Sequence, residues 1–201
     1  MQKLVIASGN AGKLREIGYL LMPLQIEAVP QALFNVSEAD EPHCTFIENA
    51  FTKARHACKQ TGLPSLADDS GICVNALNGN PGVLSARYAG EPKSDERNNR
   101  KLIEVLREQP DRRAHYYCVI VLMRHPADPQ PIIADASWYG EIILEPHGKG
   151  GFGYDPYFFL PELGKTAAEL SMEQKNQISH RGKALARMVE SIKEETFSGL
   201  V

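Results

Sequence analysis

Near its start the chain carries KLVIA (residues 3–7), continuously apolar from Leu4 to Ala7, then SGN (8–10), then AGKLREIGYLLM (11–22) with Leu14, Ile17 and Leu21 at helical spacing. An apolar run without alternation is the pattern of a strand covered on both faces. A turn containing one glycine that leads directly into an amphipathic helix is the start of a βα unit, and Pro23 marks where that helix ends. This beginning constrains the fold more than any other stretch, because a buried strand needs neighbours on each side and a helical layer over it.

The remaining elements agree with that start. TFIENAFTKARHACKQTG reads as a second helix, with Thr45 and Glu48 spaced as a capping box and Gly62 as its C-terminal stop. PSLA is a short strand that leads to two aspartates, and ICVNAL is a candidate for another. SDERNNRKLIEVLREQ is a charged amphipathic helix capped by Ser94 or Asp95. RAHYYCVIVLM, PIIADASWYG and EIILEP are strands of a meander, followed by a glycine-rich loop, HGKGGFGYDPYF, and a helical C-terminal stretch. Together these give an α/β chain with a mixed sheet. No repeat, low-complexity tract or linker divides the 201 residues, so 1–201 reads as one domain.

A hydrophobic fraction of 43% allows a sizeable core, and a net charge of -3 gives no broad attraction to nucleic acid. Any polyanion must therefore be small and met by a local cluster of cations. Cys44, Cys58, Cys73 and Cys118 form no CxxC pair. They read as small buried hydrophobes in a reducing compartment rather than as zinc ligands or a disulfide frame. MQKLVIASGN has one lysine and a short apolar run, the pattern of neither a signal peptide nor a membrane span, so a cytoplasmic location with no membrane partner is the default.

Four segments could carry chemistry. In SGNAGK, backbone N–H groups at a helix start and the Lys13 ammonium make an anion site. It is not a Walker A loop, since Gly9 and Gly12 are too close and Leu14 stands where a hydroxyl is needed. Glu38, Asp40 and Glu41, together with Asp68 and Asp69 of LADDSG, could hold magnesium beside phosphates. Taken alone, LADDSG is a turn and SEADE a solvated acidic loop. Side chains alternate along a strand, so at most one of Asp68 and Asp69 ligates directly unless the strand has already turned. In GGFGYDPYFF, three glycines permit close approach to a ligand, and Phe152 and Tyr154 offer faces on which a base can stack. KNQISHRGKAL brings Lys175, His180 and Arg181 near one another, or is simply a helix junction with surface cations.

In their order, SGNAGK, TFIENA, LADDSG, PGVLSARYAG, GGFGYDP and SHRGKAL resemble the inosine triphosphate pyrophosphatase family nearly end to end. Ser8 stands where threonine is commoner and keeps the hydroxyl. The resemblance implies a homodimer of α/β subunits, each with an elongated mixed sheet flanked by helices and two lobes around a deep cleft. It implies magnesium-dependent hydrolysis of inosine, deoxyinosine and xanthosine triphosphates (ITP, dITP, XTP) to monophosphate and pyrophosphate, which clears deaminated purines from the nucleotide pool. Carried onto matching positions, it gives Ser8, Gly9, Asn10, Ala11, Gly12 and Lys13 the triphosphate, and Glu41 and Asp69 the magnesium. Asp69 also becomes the proton acceptor and Ser70 a substrate contact, with Asp69 at a strand end and Asp68 turned away or supporting it from behind. Phe152, Gly153, Tyr154, Asp155, Lys175, His180 and Arg181 fall to the base and its surroundings. Donors of the His180–Arg181 segment would pair with a 6-oxo group and be left unpaired by adenine's 6-amino group. The rival readings are a related septum-inhibition pyrophosphatase, against which SHR and FGYD argue, and a non-catalytic nucleotide-binding module.

Overall fold

The computed structural model describes residues 3–22 and 26–196. Pro23 lies outside the described residues; the first helix has its last residue at Leu21. In chain order the elements are β1 (Lys3–Ile6), α1 (Ala11–Leu21), β2 (Glu27–Pro30), α2 (Phe46–Thr61), β3 (Ser65–Val74), α3 (Asp95–Leu106), β4 (Arg113–Met123), β5 (Ile132–Ile142), β6 (Phe158–Leu160), β7 (Lys165–Thr166), α4 (Met172–Ile178) and α5 (His180–Thr196). The strands form one mixed sheet in the order β2-β1-β3-β4-β5-β6-β7. β2 and β3 run parallel to β1, with Val5 opposite Val29 on one side and Ser65 on the other. β5, β6 and β7 pair antiparallel, Ile142 facing Phe158 and Phe159 facing Thr166.

Local chemistry accounts for the helix ends. Asn10 caps α1, its side chain accepting from the N–H groups of Gly12 and Lys13. Thr45 caps α2, and Glu48 meets the Thr45 hydroxyl with its carboxylate. Gly62, at φ 67°, closes α2 in the left-handed conformation that a side chain would resist. Of the two candidates for α3, Ser94 is the cap, accepting from the Arg97 N–H.

The chain packs as two compact units, one of residues 1–69, 118–136 and 181–201, the other of 70–117 and 137–180. In the first, Ile17 and Leu21 of α1 and Ala184, Leu185 and Met188 of α5 pack with Leu4, Ile6, Leu66 and Ile120 of the strands. In the second, Leu102 and Leu106 of α3 join Ile72, Val74, Trp138, Phe158 and Leu160. Among the described residues, no helix is long and apolar enough to cross a membrane.

Several sequence expectations are corrected. β3 does not stop at the aspartates: it runs unbroken through LADDSGICV, and both carboxylates lie inside it. EIILEP is no separate strand, because Glu141 and Ile142 complete β5 across Gly140. β2, β6 and β7 are short and lacked a readable alternation. Of the four free cysteines only Cys58 and Cys118 are buried; Cys44 is exposed and Cys73 half-buried. Burial, first of all, pushes the Cys118 thiol up to about 12, so it stays protonated.

Two glycines test this packing in opposite directions. A Cβ on Gly140 would stand 2.5 Å from the Phe159 carbonyl oxygen and 2.8 Å from Phe158 Cζ. One on Gly18, inside α1, would meet nothing within 4 Å. Gly140→Ala is expected to destabilise by about 1–3 kcal/mol, and Gly18→Ala to stabilise by about 0.5–1 kcal/mol. Urea denaturation of the two variants checks both signs.

Candidate active site

Asp68 and Asp69 are 1% and 6% exposed. Neighbours on a strand project to opposite faces, and their partners differ accordingly. Asp68 Oδ2 lies 3.0 Å from Lys13 Nζ, and Arg181 donates to it from Nε (3.2 Å) and Nη2 (3.1 Å). Arg181, 2% exposed, also pairs with Glu16 of α1. On the other face, Lys53 Nζ of α2 is 2.8 Å from Asp69 Oδ1 and 2.8 Å from Glu41 Oε1. Asp69 and Glu41, the two residues expected to hold magnesium, thus already share one cation.

The electrostatics of the two faces diverge. Burial alone would raise the Asp68 pKa, but Lys13, then Arg181 and Lys53, hold it well below the usual carboxylate range. Asp69 goes the other way: burial pushes it up, against the pull of Lys53 and Lys13. Lys53 loses charge stability by burial and regains more from Asp69, Asp68 and Glu41, so its pKa is raised. The result is a permanently ionised anchor in Asp68 and a more basic carboxylate in Asp69.

The Ser8–Lys13 loop sits at the start of α1, with Gly9, Asn10 and Ala11 exposed. Ser8 Oγ accepts from the Asn10 N–H at 3.1 Å. The Asn10 side chain holds the N–H groups of Gly12 (2.9 Å) and Lys13 (3.1 Å), two of the donors that the sequence assigned to an anion. A Cβ on Gly9 would run into the Glu38 carboxylate, which brings the acidic loop against the glycine turn. Ser70 follows Asp69 on β3 and is half-buried.

Among the described residues, no group of three or more His, Cys, Asp and Glu side chains is gathered closely enough to hold a metal by itself. The donor set nevertheless suits magnesium, which takes one or two carboxylates and completes its shell with water and substrate phosphates. Glu41 and Asp69 supply two carboxylates, and Asp69 Oδ2 is a buried acceptor without a hydrogen-bond partner among the described residues.

In the second unit, Asp155 is a buried hub. Its Oδ2 accepts from Lys175 Nζ at 2.6 Å and from the Phe152 N–H at 2.9 Å, and Tyr116 OH donates to Oδ1 at 3.4 Å. Lys175 Nζ also lies 4.7 Å from the centroid of the Phe152 ring. His180 stacks on Tyr116 with centroids 4.7 Å apart at 7°. Tyr154 departs from expectation. It is 4% exposed, belongs to the core, and donates to the Ser85 carbonyl at 2.7 Å, so its ring is committed to the fold, whereas Phe152 is half-buried. Gly151, at φ 70°, is needed by the loop itself: its Cβ would collide with the Asp155 carboxylate.

Arg181, expected beside the base, directs its guanidinium to Asp68 and Glu16, because a buried cation must be matched by charge wherever the chain supplies it. Sequence reasoning missed Lys53, Glu16 and Tyr116. Lys53 had a signal: it falls three residues after Ala50 and four before Ala57, on the apolar stripe of α2, where an unpaired lysine has no place.

The sequence matches the Ham1 family over residues 4–191. A relative from Nitrosomonas europaea, named dITP/XTP pyrophosphatase, is 72% identical over 194 residues, 96% of each chain. Another of that name from Shigella flexneri is 53% identical, over 96% of this chain and 99% of its own. Among solved structures, a HAM1 protein from Coxiella burnetii superposes with a TM-score of 0.90 at 49% identity, over 96% of this chain and all of that one. The Ham1 protein of Staphylococcus aureus gives 0.86 at 41% identity, with the same shares covered.

Asp68→Asn would leave Lys13 and Arg181 facing each other across a neutral amide. Breaking a buried ion pair costs about 3–5 kcal/mol, and a loss of that size is expected at pH 7. Since the folded pKa of Asp68 is depressed, its contribution is complete above the unfolded value of about 3.9 and falls away as the pH drops below it. Urea denaturation of wild type and variant from pH 8 to pH 3 should show a constant gap that narrows only at the acid end.

Proposed function

The chain belongs to the Ham1 family, and on that footing we propose that it hydrolyses ITP, dITP and XTP to the monophosphate and pyrophosphate, with magnesium. The observation that carries the reading is the division of labour on β3. Asp69 with Glu41 surrounds one cation on one face, and Asp68 fixes Lys13 on the other.

Water attacks the α-phosphorus, the bond from that phosphorus to the bridging oxygen breaks, and pyrophosphate leaves with the electron pair. Lys13, at the first turn of α1 and held by Asp68, places an ammonium for the phosphate oxygens. Charge neutralisation and positioning supply most of the acceleration in such transfers. Asp69 takes the proton from water at Oδ2, a buried carboxylate oxygen without a hydrogen-bond partner among the described residues. Glu41 and Asp69 would hold the magnesium, which neutralises triphosphate charge when bound. Phe152, by the family resemblance, stacks on the purine, with Lys175 held over its ring and Asp155 accepting from its N–H. Homodimer formation, carried by the resemblance, and a cytoplasmic location, carried by the cysteine usage and the N-terminal pattern, extend the same proposal.

The test is pyrophosphate release from ITP with magnesium, beside the same assay with ATP. Release from ITP well above ATP is expected; binding without release would make the chain a nucleotide-binding module. Asp69→Asn should lower kcat by at least about 10²-fold, the lower end for a positioned proton acceptor. Lys13→Ala should weaken ITP binding about tenfold, as expected for one charged hydrogen bond. An unchanged dissociation constant would remove Lys13 from the cradle.

A further inference from the structure

Gly153 joins Phe152 to Tyr154 at φ 63°, with open space where a Cβ would stand. A glycine in such a place gives the backbone freedom, yet both polar groups of Gly153 are gripped by α3. Its N–H donates to Asp95 Oδ2 at 2.8 Å, and its carbonyl accepts from Asn99 Nδ2 at 2.9 Å. Asp95 and Asn99 are four residues apart, hence one above the other on a single helix face. Asn99 is 8% exposed, so its amide is committed to this contact inside the fold.

The same helix holds a second segment. Asn98 donates to the Ala86 carbonyl (3.0 Å) and accepts from the Ala89 N–H (2.8 Å), while Lys101 donates to the Tyr88 carbonyl at 2.6 Å. Tyr154 ties the two segments together through its hydroxyl on the Ser85 carbonyl, and the Ser85 hydroxyl accepts from Ile72 of β3 at 2.9 Å. This accounts for PGVLSARYAG, a motif to which the chemistry assigned no task. It is the support on which the Phe152 loop is aligned.

We propose that Asp95 and Asn99 are positioning residues for the purine. By holding the N–H and the carbonyl of Gly153, and so the peptide planes on both sides of it, they fix the attitude of Phe152, and with it the affinity for the base. This rests on the reading that Phe152 meets the base of a deaminated purine nucleotide. Neither residue is among those assigned to the phosphates or the metal, so their loss acts on binding and leaves the chemical step alone.

Three variants separate the proposal from a merely structural role. Asp95→Ala removes the acceptor, Asp95→Asn keeps one, and Asn99→Asp sets a carboxylate against the Gly153 carbonyl without changing size. The KM for ITP should rise about tenfold in Asp95→Ala and Asn99→Asp with kcat within about twofold, the pattern of lost uniform binding. Asp95→Asn should stay within about twofold of wild type, since its amide oxygen still accepts. Asp95 is exposed, so its pair of variants decides the matter even if Asn99→Asp does not fold. A fall in kcat to match the rise in KM, or an Asp95→Asn no better than Asp95→Ala, overturns the proposal. If wild type releases no pyrophosphate from ITP, the functional reading falls separately, and amide exchange at Gly153 decides the clamp. Slow exchange in wild type and Asp95→Asn but fast exchange in Asp95→Ala upholds it; equal rates in all three overturn it.

Discussion

Two carboxylates side by side in the interior of a strand repel each other and lose their hydration, and a strand so built stands only if each is matched by cations from elsewhere. In this chain β3 sends Asp68 to Lys13 and Arg181 and Asp69 to Lys53. Removing one partner of such a buried set leaves an uncompensated charge, which costs more than the pair contributes. The arrangement is thus a constraint on α1, α2 and the start of α5 together. Each of those elements must deliver its cation to the same two residues of one strand.

The same constraint prepares the chemistry. Lys13 would otherwise be a flexible surface lysine; bound to Asp68, its ammonium is held at the head of α1. Arg181 balances Asp68 and Glu16, so that Asp68 can remain ionised if, as proposed, Lys13 turns to phosphate. Asp69 and Glu41 keep a cation between them, which is the charge pattern a divalent ion requires. The second unit works by geometry more than charge. Asp155 fixes Lys175 and the Phe152 backbone, and α3 fixes Gly153, so the ring between them has few ways to lie.

What was legible in the sequence was local. The β1–α1 unit, the caps at Thr45 and Ser94, the Gly62 stop and the long central strands follow from spacing and from residues at most four apart. The ordered motifs pointed to the family that the match over residues 4–191 shows, because each is short and contiguous. The missed features are those set by distant partners. Arg181 meets Asp68 across 113 residues and Glu16 across 165, and nothing local distinguishes it from a surface arginine. The aspartates read as a turn because propensity penalises acids in strands; pairing on both faces overrode it. Gly140 read as a strand end, whereas the close approach of Phe158 and Phe159 makes glycine the residue that lets β5 continue. Tyr154 looked like a stacking platform, and only the Ser85 carbonyl and the surrounding core reveal it as an anchor.

On the proposed reading the adjacent aspartates have separate tasks: Asp68 holds Lys13, and Asp69 would serve a metal. Calorimetric titration of manganese, as a stand-in for magnesium, into wild type and the two asparagine variants with a non-hydrolysable ITP analogue present tests it most directly. Loss of one of two carboxylate ligands should weaken metal binding at least about tenfold in Asp69→Asn. Asp68→Asn, measured where it is folded, should bind metal within about twofold of wild type, since its carboxylate faces Lys13 and Arg181 instead. Equal loss in both variants, or loss confined to Asp68→Asn, would contradict the account.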